Sequence, residues 1–192
     1  MTEAAAPVGV VIIGAGAGTR FGGPKAEAKL GDGRRFLDAI VETAISAGLD
    51  PIIAVLPPGV AAPPGVRAVV NTNPKSEQIV SARLGLAQLT NAPLTSAMLW
   101  PVDHPFVTVE SVRAILDAAR TSGAHIVVPV HDSRRGHPTW FHRDTWRELM
   151  TTPDGGARSV IRGDPSRVRE VQVNDRGVLR DIDTRGDLEG AD

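Results

Sequence analysis

The chain has 192 residues, with 21 Lys and Arg against 22 Asp and Glu, 42% hydrophobic residues and no cysteine or tyrosine. That length and hydrophobic content suffice for one sizeable core, so a single domain over residues 1–192 is expected. The near-neutral charge, with acids and bases interleaved, gives no footprint for nucleic acid or an anionic membrane. Without cysteine there are no disulfides, thiolate zinc sites, iron–sulfur clusters or thiol nucleophiles, which leaves oxygen and nitrogen groups or a hard metal. Met1–Pro7 has no basic n-region, and the apolar stretch after it is broken by glycines from Gly14. It reads as neither a signal peptide nor a membrane span, and the expected location is the cytoplasm.

Val8 to Ile13 is a continuous β-branched run, as in a strand covered on both faces. Phe36 to Ala47 has helical apolar spacing that stops at Gly48. Short apolar runs follow at Pro51 to Leu56 and Val66 to Val70, separated by the proline- and glycine-rich stretch Pro57 to Gly65, which is expected to be an exposed connection. Ser76 to Leu89 is periodic, with Ser76 at the N-cap position. A strand is expected at Ala97 to Val102, a helix at Val109 to Ala119, a strand at His125 to Val130 and helices at Arg143 to Met150 and 157 to 162. Strands near Val168 to Val173 and Val178 to Ile182, then a last helical turn from Asp183 to Glu189, complete the chain. Strands alternating with helices imply an α/β fold with a mainly parallel sheet covered on both faces.

The glycine-rich turn Gly14-Ala15-Gly16-Ala17-Gly18-Thr19-Arg20-Phe21-Gly22-Gly23-Pro24-Lys25 follows the first strand. Glycines there let backbone N–H groups crowd around an anion. The dinucleotide fingerprint G-x-G-x-x-G fails in both registers, at Thr19 and at Phe21, and the second strand ends in Leu56-Pro57-Pro58 rather than an acid. A Walker A loop needs G-K-[ST], whereas Lys25 sits between Pro24 and Ala26. What remains is two cations, Arg20 and Lys25, on a glycine scaffold able to hold a triphosphate; the bland alternative is a solvated surface turn.

Trp100-Pro101-Val102-Asp103-His104-Pro105 puts a carboxylate at the tip of the fourth strand. Pro101 cannot donate to a ladder, so pairing is expected to stop near Trp100. Asp103 then reads either as a Mg²⁺ ligand in the mouth of the sheet or as a turn or cap carboxylate. Arg134-Arg135-Gly136-His137-Pro138 and Asp154-Gly155-Gly156-Ala157-Arg158 offer glycines for close ligand approach and a guanidinium at a helix start. Taken alone, His137 reads more readily as a structural turn histidine than as a catalytic one. His131, His137 and His142 match no zinc spacing, with His142 expected at the surface. Trp100, Trp140 and Trp146 are expected in packing.

Ile13 to Gly22 with Pro24-Lys25 resembles the L-A-A-G-x-G-x-R-[MF]-G…K signature of the MobA-like nucleotidyltransferases, departing at Gly14 where most relatives have alanine. Asp103 to Pro105 resembles the family's D-x-P motif, and Asp181-Ile182-Asp183-Thr184 its closing [DN]-I-[DN]-T. Ser76 to Leu86 loosely resembles the helix beside the base. The 134–138 and 154–158 segments look like those of molybdenum cofactor cytidylyltransferases, the branch the chain resembles most.

The resemblance implies a three-layer α/β/α Rossmann-like fold and Mg²⁺-dependent transfer of a nucleoside monophosphate to a phosphorylated acceptor. Ala15, Gly16, Ala17, Gly18, Thr19, Arg20 and Lys25 would bind nucleotide, with Arg20, Lys25 and Asp103 catalytic. Asp103 and Asp183 would hold the metal; in a strand Asp181 and Asp183 share a face, and Asp183 is preferred. His137 and Arg158 would bind the acceptor. Ala15, where guanylyl-transferring relatives usually carry glycine, points to CTP, and the acceptor segments point to molybdopterin, with a molybdoenzyme or its chaperone as partner. The alternatives are a sugar-1-phosphate acceptor, a non-catalytic nucleotide- or pterin-binding protein, and a flavin- or NADPH-dependent reductase on the same fold.

Overall fold

The computed structural model describes residues 7–16, 18–19, 21–73, 77–153 and 155–188. Strand β1, Val8–Ile13, lies inside the sheet. Its side chains alternate between two cores, Val10 and Ile12 entering one and Val11 the other, which explains the unbroken apolar run. The first core is closed by α1 (Phe36–Ser46) and α3 (Val109–Ser122). The second is closed by α2 (Gln78–Leu89), α4 (Trp146–Thr151) and α5 (Gly156–Gly163). The architecture is therefore three-layered. Helix α2 lies close on β1 because its Gly85 leaves room: a Cβ there would stand 2.2 Å from Val11 Cγ1.

The remaining strands are β2 (Ile52–Leu56), β3 (Arg67–Val70), β4 (Ser96–Pro101), β5 (Ile126–His131), β6 (Arg134–Arg135), β7 (Thr139–His142) and β8 (Val168–Gln172). Strands β3, β2, β1 and β4 run parallel in that spatial order. Strand β7 pairs antiparallel with both β4 and β5, and β8 is parallel to β5. Residues 57–65 form neither helix nor strand, as expected of their prolines. Among the described residues no helix is long and apolar enough to cross a membrane.

Several expectations are corrected. The β6 and β7 strands were not expected. Chain reversal after β5 occurs at Asp132 and Ser133, both at positive φ (47° and 60°), a two-residue hairpin turn without the Asn-Gly or Asp-Gly pair that would have marked it. Three steps along β5, from Val127 to Val130, correspond to five on the returning chain, from Trp140 to Arg135, so Gly136 to Pro138 bulges out of the ladder. No strand forms at 178–182. Arg176–Leu179 is a 3-10 turn, and the neighbouring amides of Gly177 and Ile182 bond to Asp175 Oδ1 and Asp103 O rather than to a strand.

Helix α2 begins at Gln78 with Glu77 at its N-cap; Ser76 lies outside the described residues. A 3-10 turn, Arg143–Thr145, precedes α4. The chain closes in a 3-10 turn, Arg185–Leu188, and Glu189 lies outside the described residues. Pairing of β4 continues through Pro101, opposite Ile13. Val102 N donates to Ile13 O, so the missing N–H of Pro101 faces β7, whose pairing with β4 has already ended at Leu99. His142 is half-buried, its ring 5.5 Å from that of His125.

Candidate active site

The site forms where β1 and β4 end side by side. Gly14 N still bonds to Val55 O of β2, after which the glycine turn folds on itself: Gly18 O accepts from Phe21 N, Gly22 N and Gly23 N. Gly18 has φ of 56°, and a Cβ there would lie 1.9 Å from Gly23 O, so this position admits no side chain. A Cβ on Gly16 would meet nothing within 4 Å. Gly16, Gly18 and Thr19 line a recess of about 250 Å³ with Lys25, Gln78, Asp103 and Asp183. Ala17 and Arg20 lie outside the described residues. Ala15 is buried and packs in the α2-side core.

Lys25 opens a 3-10 turn, Lys25–Glu27, anchored by fully buried Ala26. Its Nζ lies 3.3 Å from Asp103 Oδ2 and 2.5 Å from Asp183 Oδ1. Asp103 is fixed from behind: Trp100 Nε1 donates to His104 O at 3.1 Å, and His104 Nδ1 lies 3.0 Å from Asp103 Oδ1. Burial raises the Asp103 carboxyl, but the hydrogen bond and charge of His104, then those of Lys25, outweigh it and hold the group at about 2. Asp183 is brought alongside because Ile182, fully buried, donates its N–H to Asp103 O at 2.8 Å. Asp181 is exposed.

Two carboxylate oxygens thus converge on one cationic atom. Among the described residues no group of three or more histidine or carboxylate side chains is set to hold a metal. Asp103 and Asp183, completed by water and phosphate oxygens, are a donor set that fits a small hard divalent cation. Nothing in the arrangement of His131, His137 and His142 resembles a zinc site.

A second cleft, of about 390 Å³, shares Ile13 and Gln78 with the first. It is lined by His137, Thr139, Gly155, Gly156 and Arg158, with Leu99 and Phe141 among its apolar walls. His137 and Arg158 are thereby brought together from the 136–138 bulge and the start of α5. Gly155 and Gly156 take positive φ at that helix start, and Arg83 of α2 donates to Leu149 O and Thr152 O beneath it. Asp154 lies outside the described residues. The His137 ring stacks edge-on to His104 at 4.8 Å. Burial, then the charge of His104, push His137 down to about 4, so it is neutral near pH 7. Trp100, Trp140 and Trp146 are buried, as their packing role requires.

Gln78, Thr139 and His104 were given no role in the sequence. Gln78 faces both clefts as the first residue of α2, which its place in the periodic run could have suggested. Thr139 depends on the unforeseen strand β7. His104 adjoins Asp103 in the quoted motif, but only the fold shows that it touches both Asp103 and His137.

An α/β sheet with a glycine turn, a lysine and paired carboxylates at its carboxyl edge is the architecture of a nucleotide-handling protein. The chain belongs to the family of MobA-like NTP transferase domains, whose model matches residues 10–171, and nucleotidyl transfer is its class of reaction. It is similar to a 2-C-methyl-D-erythritol 4-phosphate cytidylyltransferase of Thermus thermophilus, 33% identical over 162 residues covering 81% of this chain and 72% of that one. Among solved structures it resembles Rv0371c of Mycobacterium tuberculosis, with a TM-score of 0.80, 29% identity and 98% of both chains covered. A manganese complex of Rv0371c aligns with a TM-score of 0.74 and 26% identity, over 96% of this chain and 97% of that one.

Proposed function

We propose that the protein transfers CMP from CTP, with Mg²⁺, to a small phosphomonoester and releases pyrophosphate. The observation that carries this reading is the convergence of Lys25, Asp103 and Asp183 beside the glycine turn, in a recess joined to the cleft of His137 and Arg158.

An acceptor phosphate oxygen attacks the α-phosphorus of the nucleotide in line; the new P–O bond forms as the bond to the β-phosphate oxygen breaks. A phosphate monoester is already ionised at neutral pH, so no general base is needed and catalysis reduces to positioning and neutralisation of charge. The backbone amides of Gly16, Gly18 and Thr19, which line the recess, hold the triphosphate, and Lys25, together with Arg20, balances its charge. Asp103 and Asp183 would hold Mg²⁺, which supplies Lewis-acid stabilisation of the phosphoryl oxygens. Arg158 and His137, the latter neutral and able to donate or accept a hydrogen bond, orient the acceptor. A single domain over residues 1–192 is part of this reading, supported by the one continuous sheet from which these parts extend.

CTP is favoured by the cytidylyltransferase relative. For the acceptor, the 134–138 and 154–158 segments favour molybdopterin. That same relative, which by its name acts on a polyol phosphate, supports a second reading in which the acceptor is a phosphorylated sugar alcohol or sugar. A pyrophosphate-release screen of the four NTPs with Mg²⁺, against molybdopterin, 2-C-methyl-D-erythritol 4-phosphate and several sugar-1-phosphates, separates them. Release with CTP stimulated by one of these acceptors is expected; release with GTP alone overturns the base, and nucleotide binding without release by any pair overturns catalysis.

A further inference from the structure

The segment from Asp175 to Asp183 is a strap lying between the two halves of the site. At its start the Asp175 carboxylate is buried and accepts four hydrogen bonds. Oδ2 receives Thr108 N at 2.9 Å, Thr108 Oγ1 at 3.0 Å and Ser111 Oγ at 2.7 Å, and Oδ1 receives Gly177 N at 2.7 Å. This ties the strap to the first turn of α3, directly after the 103–106 loop. In mid-strap, Val178 is fully buried and its O accepts His137 N at 2.8 Å. At its end Ile182 N reaches Asp103 O, and Asp183 reaches Lys25.

Two glycines show how tightly the strap is seated. A Cβ on Gly177 would stand 2.3 Å from Phe106 O, and one on Gly136 would stand 2.3 Å from Val178 O. The backbone therefore touches the Asp103 loop on one side and the His137 bulge on the other.

We propose that Asp175 is a positioning residue that, through this strap, sets Asp183 against Lys25 and Asp103 and sets His137 in the adjoining cleft. The proposal rests on the nucleotidyl-transfer reading above. A carboxylate is required because both oxygens accept from backbone N–H groups, Thr108 N and Gly177 N, which cannot turn away. The amide of an asparagine would present its NH₂ to one of them in either orientation. Misplacement of site groups by a fraction of an ångström to an ångström costs about 10- to 100-fold in turnover.

The test compares wild type, Asp175→Asn and the milder Ser111→Ala by amide hydrogen exchange and by pyrophosphate release at saturating nucleotide over a range of Mg²⁺ concentrations. Asp175→Asn is expected to speed exchange at Gly177, His137 and Ile182 by about tenfold or more while the β1 and β4 amides keep their protection. It is also expected to lower kcat about 10- to 100-fold and to raise the Mg²⁺ concentration needed for half-activity. Ser111→Ala should shift each readout in the same direction by less. Wild-type exchange at those three amides in Asp175→Asn, or loosened exchange with unchanged kcat and Mg²⁺ dependence, overturns the proposal. Should wild type itself release no pyrophosphate, the transfer reading fails, and the exchange data alone decide whether Asp175 seats the strap.

Discussion

Lys25 and Asp183, 158 positions apart in sequence, meet at 2.5 Å, and the Lys25 ammonium also faces Asp103 across 3.3 Å. The lysine thus fills the point on which the two carboxylates converge. A divalent cation binding there must displace it, whereas in Lys25→Ala the two acids face each other without the ammonium between them. Mg²⁺ is therefore expected to raise the melting temperature of Lys25→Ala more than that of wild type, by the linkage of binding to folding. Thermal unfolding with and without Mg²⁺ checks this, and equal shifts in the two proteins would speak against a shared cation site.

The glycine turn separates steric from functional demands. Gly18→Ala places a Cβ 1.9 Å from Gly23 O at a positive φ, and a loss of about 1–3 kcal/mol or a rearranged turn is expected. Gly16→Ala meets nothing in the protein, so its stability should stay within about 0.5 kcal/mol of wild type. If triphosphate lies against that turn, Gly16→Ala nevertheless raises KM for the nucleotide. Denaturant titration and nucleotide kinetics on the two variants make the comparison.

Gly85→Ala sets two effects against each other. Alanine gains about 1 kcal/mol in helix propensity, but its Cβ would stand 2.2 Å from Val11 Cγ1, and overpacking costs about 1–3 kcal/mol. Net destabilisation, measured by denaturant unfolding, is expected.

His137 carries a pH signature. Its folded value of about 4 lies below the ordinary histidine value of 6.5, because burial and the neighbouring His104 disfavour the charged ring. Between those values the unfolded chain binds the extra proton, so stability falls as pH drops through this window and the penalty is complete below about pH 4. The His137 contribution amounts to about 2 kcal/mol between about pH 7 and pH 5. His137→Gln should flatten the acid limb of a stability–pH curve by that amount; an unchanged limb would mean that His137 titrates normally.

Much of this site was legible in the sequence because its parts are local. The glycine turn, Lys25 and Asp103 all lie at the ends of β1 and β4, whose apolar runs announce buried neighbouring strands. What was not legible depends on contacts distant in sequence. The strand expected to put Asp181 and Asp183 on one face does not form; a backbone bond from Ile182 to Asp103 brings Asp183 alongside instead. Strand β7 was hidden by an Asp132-Ser133 turn that reaches positive φ without glycine. The carboxylate of Asp175 gave no local sign that its four donors would come from Thr108, Ser111 and Gly177.

The most direct test of the account is acceptor-dependent pyrophosphate release from CTP and Mg²⁺ by wild type, Lys25→Ala and Asp103→Asn. Wild type is expected to release pyrophosphate, and each variant, still folded by circular dichroism, to be slower by about 10²–10³-fold. Near-normal release by either variant would contradict the assignment of this lysine and carboxylate to the chemistry.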